Sequence, residues 1–329
     1  MTIDELIKDG FPTTRVLLIG DIMLDRYLIG EVQRISPEAP VPVLKYRRNV
    51  LRPGGMANVA LNLKALGANV IPISIVGQDA HGDALLRILQ EEGFDTEGIV
   101  SVPNRRTTVK TRVMAGSQQL MRVDEEDDED ICESTERVLL EKFYNEISGR
   151  KPDIIVFQDY DKGVLAPSLI QKVIDKARAE SILTVVDPKK RHFFDFAGID
   201  LFKPNLKEVS EALHRKCNTD LQDLQNCSQA LFEKLNCKHC LITLSEKGVF
   251  VSSGDKVHLE PVEPREVVDV CGAGDAVLSV VSLAFFHGLE PQVVAKLANI
   301  AGGIVCGIAG VSPIPKSNWK EELTARFCP

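Results

Sequence analysis

The sequence predicts an α/β fold, with a mostly parallel central sheet, helices on both faces and a small β-strand lid. Three observations predict it. Short apolar runs alternate with helical periods from residue 15 onward. Several of those runs end in polar residues, as buried parallel strands do where they reach a ligand crevice. Residues 98–124 break the alternation with a β-branched stretch of no helical period.

The elements follow in order. "RVLLIGD" (15–21) reads as a first buried strand and "VPVLKYRRNV" (41–50) as a strand-like stretch. In "RPGGMANVALNLKALGANV", Val59, Leu63 and Leu66 recur at helical spacing and Gly67 stops the helix. "NVIPISIVG" and "DAHGDALLRILQEEG" form the next strand and helix. The stretch 98–124, folding at "AGSQQ", together with 41–52, is expected to form a small second sheet, a lid or an interface platform, inserted in a single domain over 1–329. The alternation resumes in "DIIVFQDYDKG", "ILTVVDPKK" and "DLFKPNLKEV". The acid run "DEEDDED" (124–130) lacks the glycine and ligand spacing of a calcium loop. It reads as a solvated connector into the helix "ICESTERVLLEKF".

Composition narrows the function. The chain has 329 residues, 39 Lys and Arg against 47 Asp and Glu, and a formal net charge of −8. That balance gives no support to non-specific binding of nucleic acid or anionic membrane, but it leaves room for a local basic site for an anionic substrate. No apolar run is long enough to span a bilayer. The acidic N-terminus is unlike a secretory signal, and the expected location is the cytoplasm. Cys237 and Cys240 form a CxxC, but no second ligand pair stands at zinc spacing, and Cys240 opens an apolar strand, where a cysteine behaves as a small hydrophobe; no metal site is expected there.

Several chemistries are missing from the sequence: GxxxxGK[ST], GxGxxG after the first strand, HExxH and GxSxG do not occur. "DVCGAGDAV" (269–277) remains, where Gly272, Ala273 and Gly274 open an apolar helix beside Asp275. Consecutive N–H groups at a helix start can hold phosphate oxygens, and a carboxylate there can accept a proton from a hydroxyl. Alone, the motif reads equally well as a helix with an acidic first turn. A second glycine pair, Gly54 and Gly55, enters another helix with Asn58 one turn in, where close approach of a polyol or simple capping are both open. Asn205-x-x-Glu208 in "KPNLKEV" has the form of a capping box, and equally of a site for nucleotide phosphate and a magnesium-bound water network.

In combination, "GGMANVALNLKALG" and "DVCGAGDAVLSVVS", with Asn205-x-x-Glu208 and "LITLSEKG" between them, resemble the two signatures of the ribokinase-like carbohydrate kinases. The resemblance covers essentially the whole chain. It implies ATP and Mg²⁺, with Asp275 as catalytic base and the Gly272, Ala273 and Gly274 backbone as anion hole. It places Ser245, Glu246, Gly248 and Asn299 with Asn205 on the nucleotide side, and Asp187 and Glu208 near the metal through water. "GDIMLDRYLIGEVQRISPEAPVPVLK", "QDYDKGVL" and "QQLMRVD" resemble the members that phosphorylate D-glycero-β-D-manno-heptose 7-phosphate at C1, on the route to ADP-heptose for lipopolysaccharide. By that resemblance Asp21, Asp25, Gly54, Gly55, Asn58 and Asp159 face the sugar. Among Arg34, Arg105, Arg106, Lys110, Arg112 and Arg122, some would grip its phosphate, since guanidinium suits such contacts. A homodimer through the lid strands is implied as well.

The departures are Cys271 where Thr is frequent, Gln158 where Ser is usual, and "GIAGVSPI" in place of a Gly-Thr ending. A requirement for K⁺ therefore stays open. A thiol at 271 is either acidified by the anion site or a small packed residue, and packing is the expectation. No HxGH of a partner nucleotidyltransferase occurs in these residues, so only the kinase step is expected. Another sugar or nucleoside kinase, or a non-catalytic sugar-phosphate-binding protein, are the alternatives.

Overall fold

A computed structural model describes residues 2–254 and 256–327. Along the chain the strands are β1 (Arg15–Gly20), β2 (Ile22–Ile35), β3 (Pro42–Gly55), β4 (Asn69–Gly77), β5 (Ile99–Val102), β6 (Val109–Ala115) and β7 (Gln118–Glu125). They continue as β8 (Ile154–Gln158), β9 (Leu183–Asp187), β10 (Leu201–Phe202), β11 (His239–Thr243), β12 (Val249–Ser253) and β13 (Lys256–Glu260). Nine of them form one sheet in the order β13-β12-β11-β10-β9-β8-β1-β4-β5. All pairings from β11 to β5 are parallel, and the edge strands β12 and β13 add two antiparallel pairings, β11–β12 and β12–β13.

Strand alternation explains why these runs are apolar throughout. In β1, Val16 and Leu18 enter the core packed by the helices Met56–Ala65, Ala273–Phe286 and Pro291–Cys306. Leu17 and Ile19 enter the opposite core, packed by Glu133–Gly149, Pro167–Ala179 and Leu221–Leu235. With both faces covered, every position of β1 from Val16 to Gly20 is buried, and each large side chain contributes about 1.5–3 kcal/mol. Cys237 and Cys240 sit in the second core, where burial pushes the Cys237 thiol up to about 12 and Cys240 well above its usual range.

The lid is a separate four-stranded sheet of order β3-β2-β6-β7. Its composition differs from the sequence expectation in two ways. Residues 99–102 belong to the main sheet, where β5 pairs in parallel with β4. The 14-residue β2, which carries no clean hydrophobic alternation, is an inner strand of the lid, paired with both β3 and β6. Only Asp21 separates β1 from β2, so the lid grows directly from the carboxyl end of a central strand.

The acid run is exposed, as a connector should be, but it is also held. Lys162 pairs with Glu126 at 2.8 Å, Arg191 reaches Asp128 and Asp130 at 3.4 Å, and His192 contacts Asp130 at 3.2 Å. Arg105 donates to the carbonyls of Asp127, Glu129 and Lys162. Arg105 is thereby a brace between two loops, where a phosphate ligand was one expectation.

Candidate active site

The site forms where the sheet reaches its carboxyl ends, between Asp21 after β1, Gln158–Tyr160 at the end of β8, Asp187 at the end of β9 and the start of the helix Ala273–Phe286. Gly272 takes φ +81° and lets the chain turn sharply into that helix. A Cβ at Gly272 would stand 2.8 Å from Asn58 Nδ2, so glycine is required by conformation and by space. No side chain caps this helix. Its first-turn N–H groups lack intrahelical partners by construction, which leaves partial positive charge at Gly272–Gly274.

Asp275 is buried in that first turn. Its Oδ2 accepts from Asn58 Nδ2 at 2.7 Å, and its Oδ1 accepts from the Tyr160 hydroxyl at 2.8 Å and from Gln158 Nε2 at 3.4 Å. Burial pushes its pKa up to about 6, against the Asn58 and Tyr160 hydrogen bonds. Nearby Asp187 pushes the same way as burial, and Lys203 opposes it. The carboxylate is therefore mostly ionised at neutral pH and basic enough to take a proton.

Asp21 and Asp159, expected at sugar hydroxyls, are turned to backbone instead. Asp21 accepts N–H bonds from Tyr160, Lys162 and Val164 at 2.8, 3.1 and 3.1 Å. Asp159 accepts from the N–H groups of Asp161 and Lys189 at 2.8 and 3.1 Å. Burial, with Asp21 next to it, pushes Asp159 up to about 7. These two acids fix the loops that carry Tyr160 and Lys189. Asn58 likewise faces Asp275 and stands behind the base.

The lid face over the site is read from register. Asp25 opposes Lys110 and Arg52, Tyr27 opposes Arg112, Arg112 opposes Arg122, and Lys110 opposes Asp124, so all of these share one face. Arg112 pairs with buried Asp25 and lies 5.3 Å from the Tyr27 ring centroid. A Cβ on Gly54 would collide with Asp25 Oδ2; this glycine makes room for the carboxylate. Gly55 passes against the Asp21 carbonyl at the helix entry. Arg122 is paired with Asp124 at 2.8 Å, and Arg52 donates to the Val311 carbonyl at 2.8 Å. Lys110 forms no ion pair among the described residues; its ammonium lies 5.3 Å from the Tyr160 ring centroid, and burial lowers its pKa. Arg34 stands nine residues beyond Asp25 on β2, about 30 Å along the strand, which takes it away from the site. Arg106 is exposed, its backbone N–H held by Asp127 at 2.7 Å.

On the other flank, Asn205 and Glu208 form a complete capping box, with Glu208 N–H to Asn205 Oδ1 at 2.9 Å and Asn205 N–H to Glu208 Oε2 at 2.8 Å. Glu208 Oε1 also holds Lys189 at 2.7 Å, and Asp187 Oδ2 holds buried Lys203 at 2.9 Å. Both acids expected near magnesium thus already have a cation. This donor set fits an ion that arrives with a nucleotide and is held through water, and not one caged by protein oxygens. Ser245, Glu246 and Gly248 form a short turn after β11, beside the bridge between Asn205 and Thr243. Asn299 donates to the carbonyls of Glu260 and Pro261 at 3.0 and 3.1 Å. Asp269 accepts from the N–H groups of Cys271 and Gly310, both at 3.0 Å, which joins the glycine turn to the "GIAGVSPI" segment. Burial and Asp269 push the Cys271 thiol up, as packing requires.

Tyr160, Lys189 and Lys203 are absent from the sequence-derived site. The only signal was their place in polar strand ends, "QDYDKG", "DPKK" and "FKPN". A cleft of about 580 Å³ lies at the opposite end of the sheet, by Arg178, Asp200 and Lys238, and contains none of the predicted site residues. No helix among the described residues is long and apolar enough to cross a membrane.

Comparison with known proteins agrees with this geometry. The pfkB family carbohydrate kinase model matches residues 13–317. The bifunctional protein HldE of Methylobacillus flagellatus is 39% identical over 318 residues, covering 96% of this chain and 64% of that protein. HldE of Geobacter sulfurreducens is 42% identical over 300 residues, covering 91% of this chain and 60% of the relative. The chain thus spans less than two thirds of these relatives' length. Among solved structures, Escherichia coli phosphofructokinase-2 in complex with fructose-6-phosphate superposes with TM-score 0.76 at 21% identity, covering 95% of this chain and all of that one. Arabidopsis thaliana ribokinase complexed with ribose and ATP gives 0.72 at 18% identity, covering 94% of this chain and 99% of that one. These two share the fold, and the family match adds the chemistry: the chain belongs to the pfkB family of carbohydrate kinases and is a sugar kinase.

Proposed function

We propose that the chain transfers the γ-phosphoryl group of ATP to C1 of D-glycero-β-D-manno-heptose 7-phosphate, giving the 1,7-bisphosphate used for ADP-heptose and lipopolysaccharide core. The observation that carries this reading is Lys110, a partly buried cation with no ion-pair partner among the described residues, on the lid face that looks onto Asp275 through Tyr160. An unpaired ammonium withdrawn from water is costly, and an anion on the acceptor sugar offsets that cost. The heptose-kinase resemblance of residues 20–45 supports the same acceptor, and the HldE relatives support a kinase of this family.

In this reading the acceptor hydroxyl donates to Asp275. As its oxygen attacks, the O–H bond breaks toward the carboxylate, a new O–P bond forms, and the P–O bond to ADP breaks. The open N-terminus at Gly272, Ala273 and Gly274 faces the negative charge on the transferring group. Mg²⁺ bound with ATP would supply neutralisation of phosphate charge, held through water near Asp187 and Glu208. Asp25 keeps Arg112 over the sugar, while Asp21 and Asp159 hold the loops in register. Ser245, Glu246, Gly248, Asn205 and Asn299 border the nucleotide.

The test is ADP release in a panel of acceptors. Heptose 7-phosphate should exceed unphosphorylated heptose, ribose and fructose 6-phosphate in kcat/KM. Efficient turnover of ribose or fructose 6-phosphate without heptose 7-phosphate would move the chain to another acceptor. No turnover of any acceptor would favour a binding protein.

A further inference from the structure

Asp275 has both oxygens engaged, and unequally. A carboxylate offers about four lone-pair positions. Oδ1 takes two donors, the Tyr160 hydroxyl at 2.8 Å and Gln158 Nε2 at 3.4 Å, while Oδ2 takes only Asn58 at 2.7 Å. Tyr160 is itself fixed from several sides. Its backbone N–H is bound by Asp21 Oδ2, and its ring lies 5.3 Å from the Lys110 ammonium of the lid and 5.5 Å from that of Lys189. Gln158 is fully buried, and its Oε1 has no partner.

Resting on the assignment of Asp275 as base, we propose that Tyr160 is a positioning residue: its hydroxyl occupies Oδ1, so that the vacant lone pair of Oδ2 is the one that receives the acceptor's proton. The groups facing Asp275 are Asn58 from the helix Met56–Ala65, Gln158 and Tyr160 from the end of β8, Asp187 from β9 and Lys203 beyond β10. Among these, Tyr160 is the neutral donor that also reaches the lid. A hydroxyl donating to the carboxylate favours its ionised form, so removing it raises the pKa of the base. The Tyr160 ring stands between the Lys110 and Lys189 ammonium groups, so it also borders the cations on either side of the cleft.

The experiment compares wild type, Tyr160→Phe, Tyr160→Leu and Asp275→Asn, using ATP and heptose 7-phosphate, with kcat and KM measured from pH 5 to 9 and thermal melts alongside. Tyr160→Phe keeps the ring; it should lower kcat about tenfold and move the acid limb of kcat/KM to higher pH, with KM little changed. Tyr160→Leu should show the same shift and also raise KM for the sugar phosphate, because Lys110 loses its platform. If both Tyr160 variants lower the melting temperature but leave the acid limb and kcat at wild-type values, the residue is only structural and the proposal is overturned, while an inactive Asp275→Asn would still uphold the base. If Asp275→Asn keeps wild-type turnover, the base assignment itself fails, and the proposal with it.

Discussion

Asp275 is held between two demands: burial raises its proton affinity, while two strong hydrogen bonds keep it charged. The balance near pH 6 has a direct consequence. The carboxylate must be ionised to act, so kcat/KM should be flat above neutrality and fall about tenfold per unit as pH drops below about 6. A profile flat to pH 5 would contradict this. Lys110 makes the second residue-scale prediction. Lys110→Met removes one charge-assisted contact, so KM for a sugar phosphate should rise about 10–100-fold while kcat stays near wild type. The same substitution should leave KM for ATP unaltered, as initial-rate kinetics at varied ATP would show.

Among the elements, the helix Leu206–Ala212 separates two readings of one motif. Asn205 and Glu208 cap that helix reciprocally, so Asn205→Ala should cost about 1 kcal/mol in urea unfolding whatever its part in catalysis. A larger fall in kcat/KM for ATP than in stability would assign Asn205 to the nucleotide. In the strand that delivers Gln158 and Tyr160, Phe157 is fully buried and packs edge-on to Phe196 at 5.7 Å. Phe157→Ala should cost about 3–5 kcal/mol of stability, read from the shift of the unfolding midpoint. Legibility in the sequence varied at this scale for physical reasons. The helix after Gly274 was readable because it is apolar on all sides and preceded by small residues. β2 was not, because its side chains are fully buried only at its root and it carries charge on both faces beyond Asp25. Asp21 and Asp159 accept from backbone N–H groups, a use the sequence does not reveal, because an acid at a strand end looks the same whether it meets a sugar hydroxyl or the N–H groups of the next loop. For Tyr160 and Lys203 a polar strand end is the only local signal, since their partners Asp275 and Asp187 are distant in the sequence.

For the whole molecule, the alternation of apolar and polar runs is enough to give the fold, and two glycine-bearing segments far apart in sequence are brought together at the candidate site, where Asn58 meets Asp275. What they could not give is how the lid is used. Its edge strands β3 and β7 have no partner on one side among the described residues, and Tyr46, Met121 and Val123 are exposed there. Open edges with apolar side chains favour pairing with another copy. We therefore propose a homodimer through the lid, to be seen by sedimentation at micromolar concentration; a monomer would refute it. All of this depends on one proton. The most direct measurement is single-turnover phosphoryl transfer from ATP to heptose 7-phosphate by Asp275→Asn, an isosteric change that removes the base and leaves the glycine turn in place. The account predicts a loss of about 100–10,000-fold in the transfer rate with both substrates still bound. Transfer at the wild-type rate would contradict it.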